Sequence, residues 1–463
     1  MRLGDERPGG AGPEIGAADL DGIAERILDL VGSRGEAAVT VTRSLSGLTR
    51  FANSFIHQNV GDEAVTAAVE VVVGGRTAAA TTSRLDGDGL ERLVHSALAA
   101  AEVRPVDPAW AGLSPPQPSG FAGHYDQATA EAGPAERAAV VAAFVEAGDG
   151  LEAAGYCETS AAERVFANSL GHRIAGRATT AAVDGIHRLD GADGCASTCS
   201  SRLADLDGAR AGARASERAR AAATPVEMPP GRYEVVLEPR CVAYMMDFLS
   251  VYGFNARAVI EGRSFASVGE GQFDPALSIW DDATDPRHIG FGFDVEGTPK
   301  SRLDLVRAGV VSALTHDRRT AARMGGGALT TGHAVAGGES LGAVARNLFL
   351  GPSGTPSPAA DLVAAMERGL LVSDFWYARV LDPKTVVVTG LTRNGVFLVE
   401  EGKVSGAVTN LRFTQSPVAA FGPGKVLGVG DDGALAPGGL HLGWNHSPSL
   451  RLAQWNFTGN ASG

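Results

Sequence analysis

Apolar and polar residues alternate with two different periods along the first half of the chain. Apolar residues at helical spacing predict four helices, with Asp19 as a candidate N-cap of the first. The predicted helices cover residues 18–31, 86–101, 134–148 and 206–223. Alternation with a period of two predicts strands between them. These strands cover residues 37–42, 48–52, 55–60, 65–73 and 76–82, with further short strands across 155–200.

The second half of the chain is strand-rich and punctuated by glycine. It follows Thr224–Gly231, where three prolines stand in eight residues, and we expect a domain boundary there. Val235–Pro239 predicts a short buried strand, and Cys241–Tyr252 has the apolar spacing of a helix. Leu450–Phe457 alternates like a final strand.

Composition narrows the class of protein. The chain has 463 residues, 44% of them apolar, and a formal charge of −13, which disfavours nucleic-acid binding because phosphate contacts need a basic surface. Residues 206–223 are arginine-rich, but acidic neighbours predict a solvated helix face there. No apolar run approaches the ~18 residues that span a bilayer. Residues 1–17 predict a disordered tail without a signal peptide, and the four cysteines suit reduced thiols, so we expect a cytoplasmic protein.

Several separated motifs, in order, resemble the TldD/PmbA family of paired bacterial peptidase subunits, also called modulators of DNA gyrase. They are Leu48–Val71, Thr81–Ala101, Leu277–Val311, Thr320–Gly325, Thr330–Ala334, Arg346–Gly354 and Gly395–Val408. With the residue patterns, the resemblance implies an α+β fold. We expect an N-terminal domain (18–224) with helices on an antiparallel sheet, and a β-rich, barrel-like C-terminal domain (225–463).

The resemblance also points to a missing metal site. TldD-like members carry His-Glu-x-x-x-His on the helix that matches Cys241–Tyr252, followed later by a cysteine ligand. Here the three positions hold Asp247, Phe248 and Tyr252, and the last cysteine is Cys241. A phenylalanine offers no donor atom to zinc, so the chain resembles the TldE/PmbA branch, which lacks the motif and pairs with a TldD-like subunit.

Three groups of acidic residues are weaker candidates for chemistry. Asp247 could be a relict ligand, although a structural role is favoured. Asp281 and Asp282, with Asp285, could form a metal cluster, but a turn or an arginine partner is favoured.

Asp294 and Glu296, two apart on a predicted strand, would share one face, as an acid–base pair or in a network with Arg263 or Arg302. The candidate cavity-lining residues are Arg263, Ser264, Asp281, Asp282, Asp294 and Glu296.

The resemblance implies a non-catalytic subunit of a heterodimeric zinc metallopeptidase that degrades or processes unstructured peptides. Zinc is expected in the TldD-like partner and no cofactor in this chain; neither a nucleic-acid nor a membrane partner is expected. Two alternatives stay open. One is a self-sufficient hydrolase with a site rebuilt from Asp247, Asp281 and Glu296; the other is a homodimeric peptide-binding protein without catalysis.

Overall fold

The computed structural model describes residues 19–118 and 120–460, and it is a mixed α+β structure. The predicted tail, residues 1–17, lies outside the described residues. The predicted boundary at 224/225 falls between the last helix of the N-terminal half and the first strand of the C-terminal half, and it stays a prediction. In the described part of the chain, no helix is long and apolar enough to cross a membrane.

The N-terminal half is built on one antiparallel sheet of six strands in the order β3-β2-β1-β4-β5-β6. Its strands are β1 (Glu36–Ala52), β2 (Phe55–Val73), β3 (Arg76–Thr82), β4 (Glu152–Asn168), β5 (Arg173–Leu189) and β6 (Ala192–Ser200). The sequence predicted short strands here. Instead the ladder between β1 and β2 runs unbroken from Glu36 to Arg50, because the polar residues that separated the predicted strands still pair across it.

Two pairs of helices cover one face of this sheet. The helices of this half are α1 (Leu20–Val31), α2 (Gly87–Val103), α3 (Gln127–Ala130), α4 (Pro134–Glu146) and α5 (Gly208–Ala221). The predicted N-cap is confirmed, since Asp19 accepts a hydrogen bond from Gly22 N at 2.9 Å. Helices α1 and α2 share one apolar core with the sheet, and α4 and α5 share another. The strand residues between these two cores are not packed into either core, and they line a groove on this face of the sheet.

The opposite face of the sheet packs on the C-terminal half. Phe166 and Ile174 form a buried cluster with Phe293, and Ala182 and Cys199 form another with Leu435. Charged groups join the halves as well. Arg218 of α5, which was expected on a solvated face, is largely buried and pairs with Glu238. Burial would raise the pKa of Glu238, but Arg218 and Arg214 lower it to about 2.

The C-terminal half contains a closed five-stranded barrel and a second, mixed sheet. The barrel consists of β7 (Gly231–Leu237), β12 (Arg368–Asp382), β13 (Val387–Glu400), β15 (Leu411–Gln415) and β19 (Leu450–Asn460), with β14 (Lys403–Ala407) and β16 (Val426–Val429) paired outside it. The second sheet consists of β8 (Leu277–Asp281), β9 (Leu303–Arg307), β10 (Val310–Val311), β11 (Leu348–Pro352), β17 (Ala434–Pro437) and β18 (Trp444–Ser447). The predicted barrel-like domain and the final strand are thus confirmed.

One helix joins these two sheets. α6 (Pro239–Phe248) contacts β12 of the barrel and both β17 and β18 of the second sheet. The shorter helices are α7 (Ala256–Ile260), α8 (Arg318–Met324), α9 (Gly338–Leu341), α10 (Ala359–Ala364) and α11 (Pro417–Ala420). The side chains of α6 lie in the largest apolar core, which also holds the interior of the barrel. The end of this helix and the turn that follows it carry the three positions of the family's zinc motif, Asp247, Phe248 and Tyr252.

Candidate functional site

Helix α6 is followed directly by a π-helical turn, Leu249–Phe254. The sequence predicted one regular helix to Tyr252, and the difference matters for spacing. An α-helix places residues three or four apart on one side, whereas the wider π-turn closes bonds between residues five apart. Asp247 and Phe248 therefore lie at the end of α6, whereas Tyr252 lies in the π-turn.

Asp247 is buried and hydrogen-bonded to a loop far away in the sequence. Its Oδ1 accepts a bond from Asn445 Nδ2 at 2.8 Å. Its Oδ2 accepts bonds from the backbone N–H groups of Leu440 at 3.0 Å and Leu442 at 3.4 Å. Burial raises the pKa of Asp247, and these hydrogen bonds offset only part of that rise. The carboxyl group therefore anchors a loop.

The loop can approach Asp247 only because it begins with glycine. A Cβ atom at Gly438 would lie 2.1 Å from Asp247 Oδ2, and one at Gly439 would lie 2.5 Å from the ring of Tyr244. At contacts below 3.0 Å something must shift, so a larger residue at either position would displace the Asp247 carboxyl group or Tyr244. The backbone of this loop occupies the space in front of the Asp247 carboxyl group.

A second buried polar cluster surrounds Asp281 at the end of β8. Asp281 Oδ1 lies 3.1 Å from His333 Nε2, and both side chains are fully buried. Asp281 Oδ2 accepts a bond from Asn347 N at 2.6 Å. Lys300 Nζ donates to Asn347 Oδ1, also at 2.6 Å. Burial alone would raise the pKa of Asp281, but nearby Lys300 and His333 hold it well below its ordinary value.

Asp294 and Glu296 lie on a turn, so the expectation of a shared strand face was wrong. Asp294 Oδ1 accepts bonds from Glu296 N and Thr298 N, both at 2.9 Å, and its Oδ2 accepts from Ala334 N. An aspartate that bonds backbone N–H groups ahead of it stabilises a turn, which competes with a strand. Burial raises the pKa of Asp294, and this carboxyl group organises backbone in place of facing a substrate.

Glu296 lines a cavity of about 630 Å³ between the N-terminal sheet and the C-terminal half. Apolar and charged side chains share its wall, among them Leu113, Phe166, Glu70 and Asp317. Burial, followed by the charges of Asp294 and Asp317, raises the pKa of Glu296 well above its ordinary value. Of the six candidate cavity-lining residues, Glu296 alone is among the residues that line this cavity.

The other candidates have structural contacts. Arg263 is exposed and pairs with Glu261. Ser264 Oγ donates to Gly253 O at 2.6 Å. Asp282 Oδ1 accepts a bond from Thr284 N at 2.9 Å, which confirms the favoured turn.

A model of the PmbA/TldA metallopeptidase C-terminal domain matches residues 230–459. The chain belongs to the TldD/PmbA family. A metalloprotease of Synechocystis is 29% identical over 149 residues, and this match covers 31% of each chain, so the compared segment spans about a third of that relative.

Solved structures resemble the TldD/PmbA-family chain over 95% of its length. A candidate DNA gyrase modulator from Thermotoga maritima aligns over its whole length at 17% identity, with a TM-score of 0.81. TldE from Thermococcus kodakarensis aligns over 99% of its chain at 16% identity, also with a TM-score of 0.81. A candidate gyrase modulator from Bacteroides thetaiotaomicron gives 18% identity over 98% of its chain and a TM-score of 0.79. At these identities the likeness shows the fold.

The motif positions of this TldD/PmbA-family chain do not fit a zinc ion. Phe248 has no donor atom, and both oxygens of Asp247 already accept hydrogen bonds from the chain. The rings of Phe248 and Tyr252 stack at 6.4 Å with 17° between their planes. Within residues 19–118 and 120–460, no three His, Cys, Asp or Glu side chains are grouped so as to hold a metal ion.

Sequence reasoning missed the partners that define both polar clusters. Lys300, His333 and Asn347 lie in segments that carried the family resemblance, but their spacing gave no sign that they meet Asp281. It also missed Arg240, at the start of α6, which binds Asp374 at 2.8 Å and Asp184 at 3.0 Å. Asp184 belongs to the N-terminal sheet, so Arg240 ties α6 to both halves.

Proposed function

We propose that this chain is the non-catalytic, TldE/PmbA-like subunit of a heterodimeric zinc metallopeptidase that degrades or processes unstructured peptides. The observation that carries the proposal is the state of Asp247, whose two oxygens are bonded to Asn445 and to the Leu440–Leu442 loop. A catalytic zinc needs three protein ligands and an open position, and these residues supply neither. The metal and the activated water would belong to a TldD-like partner.

The preserved helix supports a role in shaping a shared site. The side chains of α6 and of the following π-turn are packed into the largest core, so the backbone around positions 247, 248 and 252 is supported by apolar contacts on the chain itself. Arg240 and Glu238 link the start of α6 to the N-terminal half through ion pairs. A rigid wall of this kind would hold a partner's catalytic groups in place and would leave bond cleavage to them.

The test compares the purified chain alone with the chain co-expressed with a TldD-like subunit of its host. An unstructured peptide serves as substrate and a folded protein as the substrate control. We expect hydrolysis of the peptide only in the presence of both subunits, with zinc, measured by elemental analysis, following the TldD-like subunit. Stoichiometric zinc in the lone chain would contradict the proposal.

The two alternatives appear as separate outcomes of this test. Hydrolysis by the lone chain, abolished in Asp247→Ala, would select the self-sufficient enzyme. The structure offers this enzyme little support, because Asp247, Asp281 and Glu296 each have partners in different segments. Peptide binding without cleavage, even beside every TldD-like protein of the host, would select the binding protein.

A further inference from the structure

A groove of about 420 Å³ crosses the helical face of the N-terminal sheet between its two apolar cores. Its floor is formed by neighbouring stretches of three strands, and its wall by the connection from α3 to α4. The lining strand segments are residues 45–47 of β1, 59–63 of β2 and 159–161 of β4. On its outer side, β2 has no strand partner before Ala67 in the described part of the chain, so the groove opens at a free sheet edge.

Arg137, from the first turn of α4, lines this groove although its side chain is almost entirely buried, with the residue 4% exposed. Its Nε donates to Thr49 Oγ1 at 3.2 Å. Its Nη1 donates to Thr159 Oγ1 at 2.9 Å and to Ala132 O at 3.0 Å. Within residues 19–118 and 120–460, Nη2 has no hydrogen-bond acceptor, so the guanidinium group keeps two N–H donors for something else.

The sheet is shaped to receive this guanidinium group. A Cβ atom at Gly47 would lie 2.3 Å from Nη1, 2.6 Å from Cζ and 2.9 Å from Nη2 of Arg137. Three atoms of the planar group are therefore in close contact with one backbone position, as they are when the group lies flat on it. Any larger residue at position 47 would displace the arginine.

The charge of Arg137 is not compensated within the described part of the chain. Its partners are two hydroxyl groups and a carbonyl group, and no ion pair of the described residues includes it. A guanidinium group stays charged at any pH that the protein tolerates. Burying a charge without an opposite charge is unfavourable, and a bound anion would remove that penalty.

The charges around the groove restrict the kind of anion. Asp62 and Glu63 line it on the side of β2, with Glu63 held by Arg43 at 2.7 Å. These carboxylates would repel a doubly charged phosphate more strongly than a singly charged carboxylate. The Thr49 hydroxyl group already donates to Asn59 Oδ1 at 2.6 Å, so the available donors are those of Arg137 Nη2 and the Thr159 hydroxyl group. These donors match the planar, multi-acceptor carboxylate group.

We propose that Arg137, cradled by Gly47 and flanked by Thr49 and Thr159, forms a binding site for a carboxylate group. The carboxylate assignment depends only on this geometry. The further identification of this carboxylate as the C-terminal group of a peptide rests on the proposed function.

The experiment uses calorimetric titration of the full chain without any partner subunit. The probes are an acetylated trialanine with a free carboxylate, the same peptide as its amide, sodium acetate and inorganic phosphate. We expect the free acid to bind at least about tenfold more tightly than the amide. We also expect acetate to compete with the free acid more strongly than phosphate does at equal concentration.

Three variants test the residues. Arg137→Gln removes the charge, and Gly47→Ala displaces the guanidinium group without removing it; both should abolish the preference for the free acid. Arg188→Gln is the matched control, because Arg188 is an exposed arginine of the same sheet that is paired with Asp193. It should bind like the parent chain.

Equal binding of acid and amide by the parent chain would overturn the proposal, and this comparison needs no variant to fold. An unchanged preference in Arg137→Gln would also overturn it. If phosphate competed with the free acid more strongly than acetate does, the site would be a phosphate site and the carboxylate proposal would be wrong. None of these outcomes depends on peptidase activity. The proposed function can therefore be wrong while the carboxylate site is correct, and the carboxylate site can be wrong while the proposed function is correct.

Discussion

Two buried aspartates of the C-terminal half, Asp247 and Asp281, show how surroundings decide what a carboxyl group does. Asp247 meets only neutral donors, namely the Asn445 amide and two backbone N–H groups, and burial raises its pKa. Asp281 is buried more completely, yet Lys300 and His333 hold its pKa below the ordinary value. The same side chain is thus a loop anchor in one place and the negative centre of a charged cluster in the other.

The comparison explains why neither aspartate resembles a catalytic acid or base. A general base must reach a substrate proton, and a metal ligand needs a free oxygen lone pair facing the ion. Asp247 faces the backbone of the Leu440–Leu442 loop, and Asp281 faces His333. In both places the carboxylate oxygens that a catalytic reaction would need already contact other groups of the chain.

The largest expected effect is that of Asp281→Asn. The substitution removes the buried negative charge that lies beside Lys300 and His333, and breaking a buried pair from one side costs about 3–5 kcal/mol. We expect a loss of this size in the free energy of unfolding, measured by denaturant titration. The control is Asp304→Asn, whose partners Arg302 and Arg307 are more than half exposed and whose loss should cost about 1 kcal/mol or less. Equal losses in both variants would contradict this interpretation.

A smaller loss is expected for Asp247→Asn. The amide nitrogen would face either Asn445 Nδ2 or the N–H groups of the loop, and leaving buried donors without an acceptor costs about 1–3 kcal/mol. The same titration measures it, with hydrogen exchange at Leu440 and Leu442 as a local readout. Faster exchange at these two amides should accompany the loss; unchanged exchange would show that the loop does not depend on Asp247.

The double variant Asp281→Asn with Lys300→Met sharpens the account of the charged cluster. If the two charges stabilise each other, the double variant should lose less free energy than the sum of the single losses, by about 0.5–3 kcal/mol. Lys300 reaches Asn347 directly, so the coupling to Asp281 acts mainly through charge. If the loss in the double variant equalled the sum of the single losses, Lys300 would stabilise the fold through its hydrogen bond to Asn347 and not through its charge.

The two aspartates should also shift the pH dependence of stability in opposite directions. The pKa of Asp281 is lowered from 3.8, so its contribution is present above that value and is lost as the pH falls below it. The pKa of Asp247 is raised from 3.8, so the folded protein binds the proton more tightly and stability falls as the pH rises through and above that value. Unfolding titrations between about pH 2 and pH 7, compared with each Asn variant, measure both slopes, that of Asp281 mainly below pH 3.8 and that of Asp247 above it. Slopes of the same sign would contradict the assignment.

Local patterns predicted much of the fold. Apolar spacing placed α1, α2, α4 and α5 within a few residues, because each helix buries one face and exposes the other. The same reasoning divided β1 at its polar middle, where hydrogen bonds to β2 and β4 keep the strand continuous. It also missed the π-turn after α6, since the first four residues of that turn, Leu249–Tyr252, fit an ordinary buried helix.

The candidate site was predicted less well. The absence of the His-Glu-x-x-x-His motif at positions 247, 248 and 252 was visible from residue identity alone. The roles of Asp294 and Glu296 were not, because the pair spacing that suits a strand also suits an aspartate turn. Arg137 drew no attention in the sequence, since an arginine in a first helical turn is ordinary until its burial is known.

Residue identities alone determined that this family member cannot place two imidazole groups and a carboxylate on α6, because side-chain chemistry does not depend on the fold. Only the tertiary structure decided how the remaining aspartates are used. Asn445 is 198 residues from Asp247, and Asn347 is 66 residues from Asp281. Contacts over such separations leave no local pattern, and they set the charge, the hydrogen bonds and hence the role of each carboxyl group.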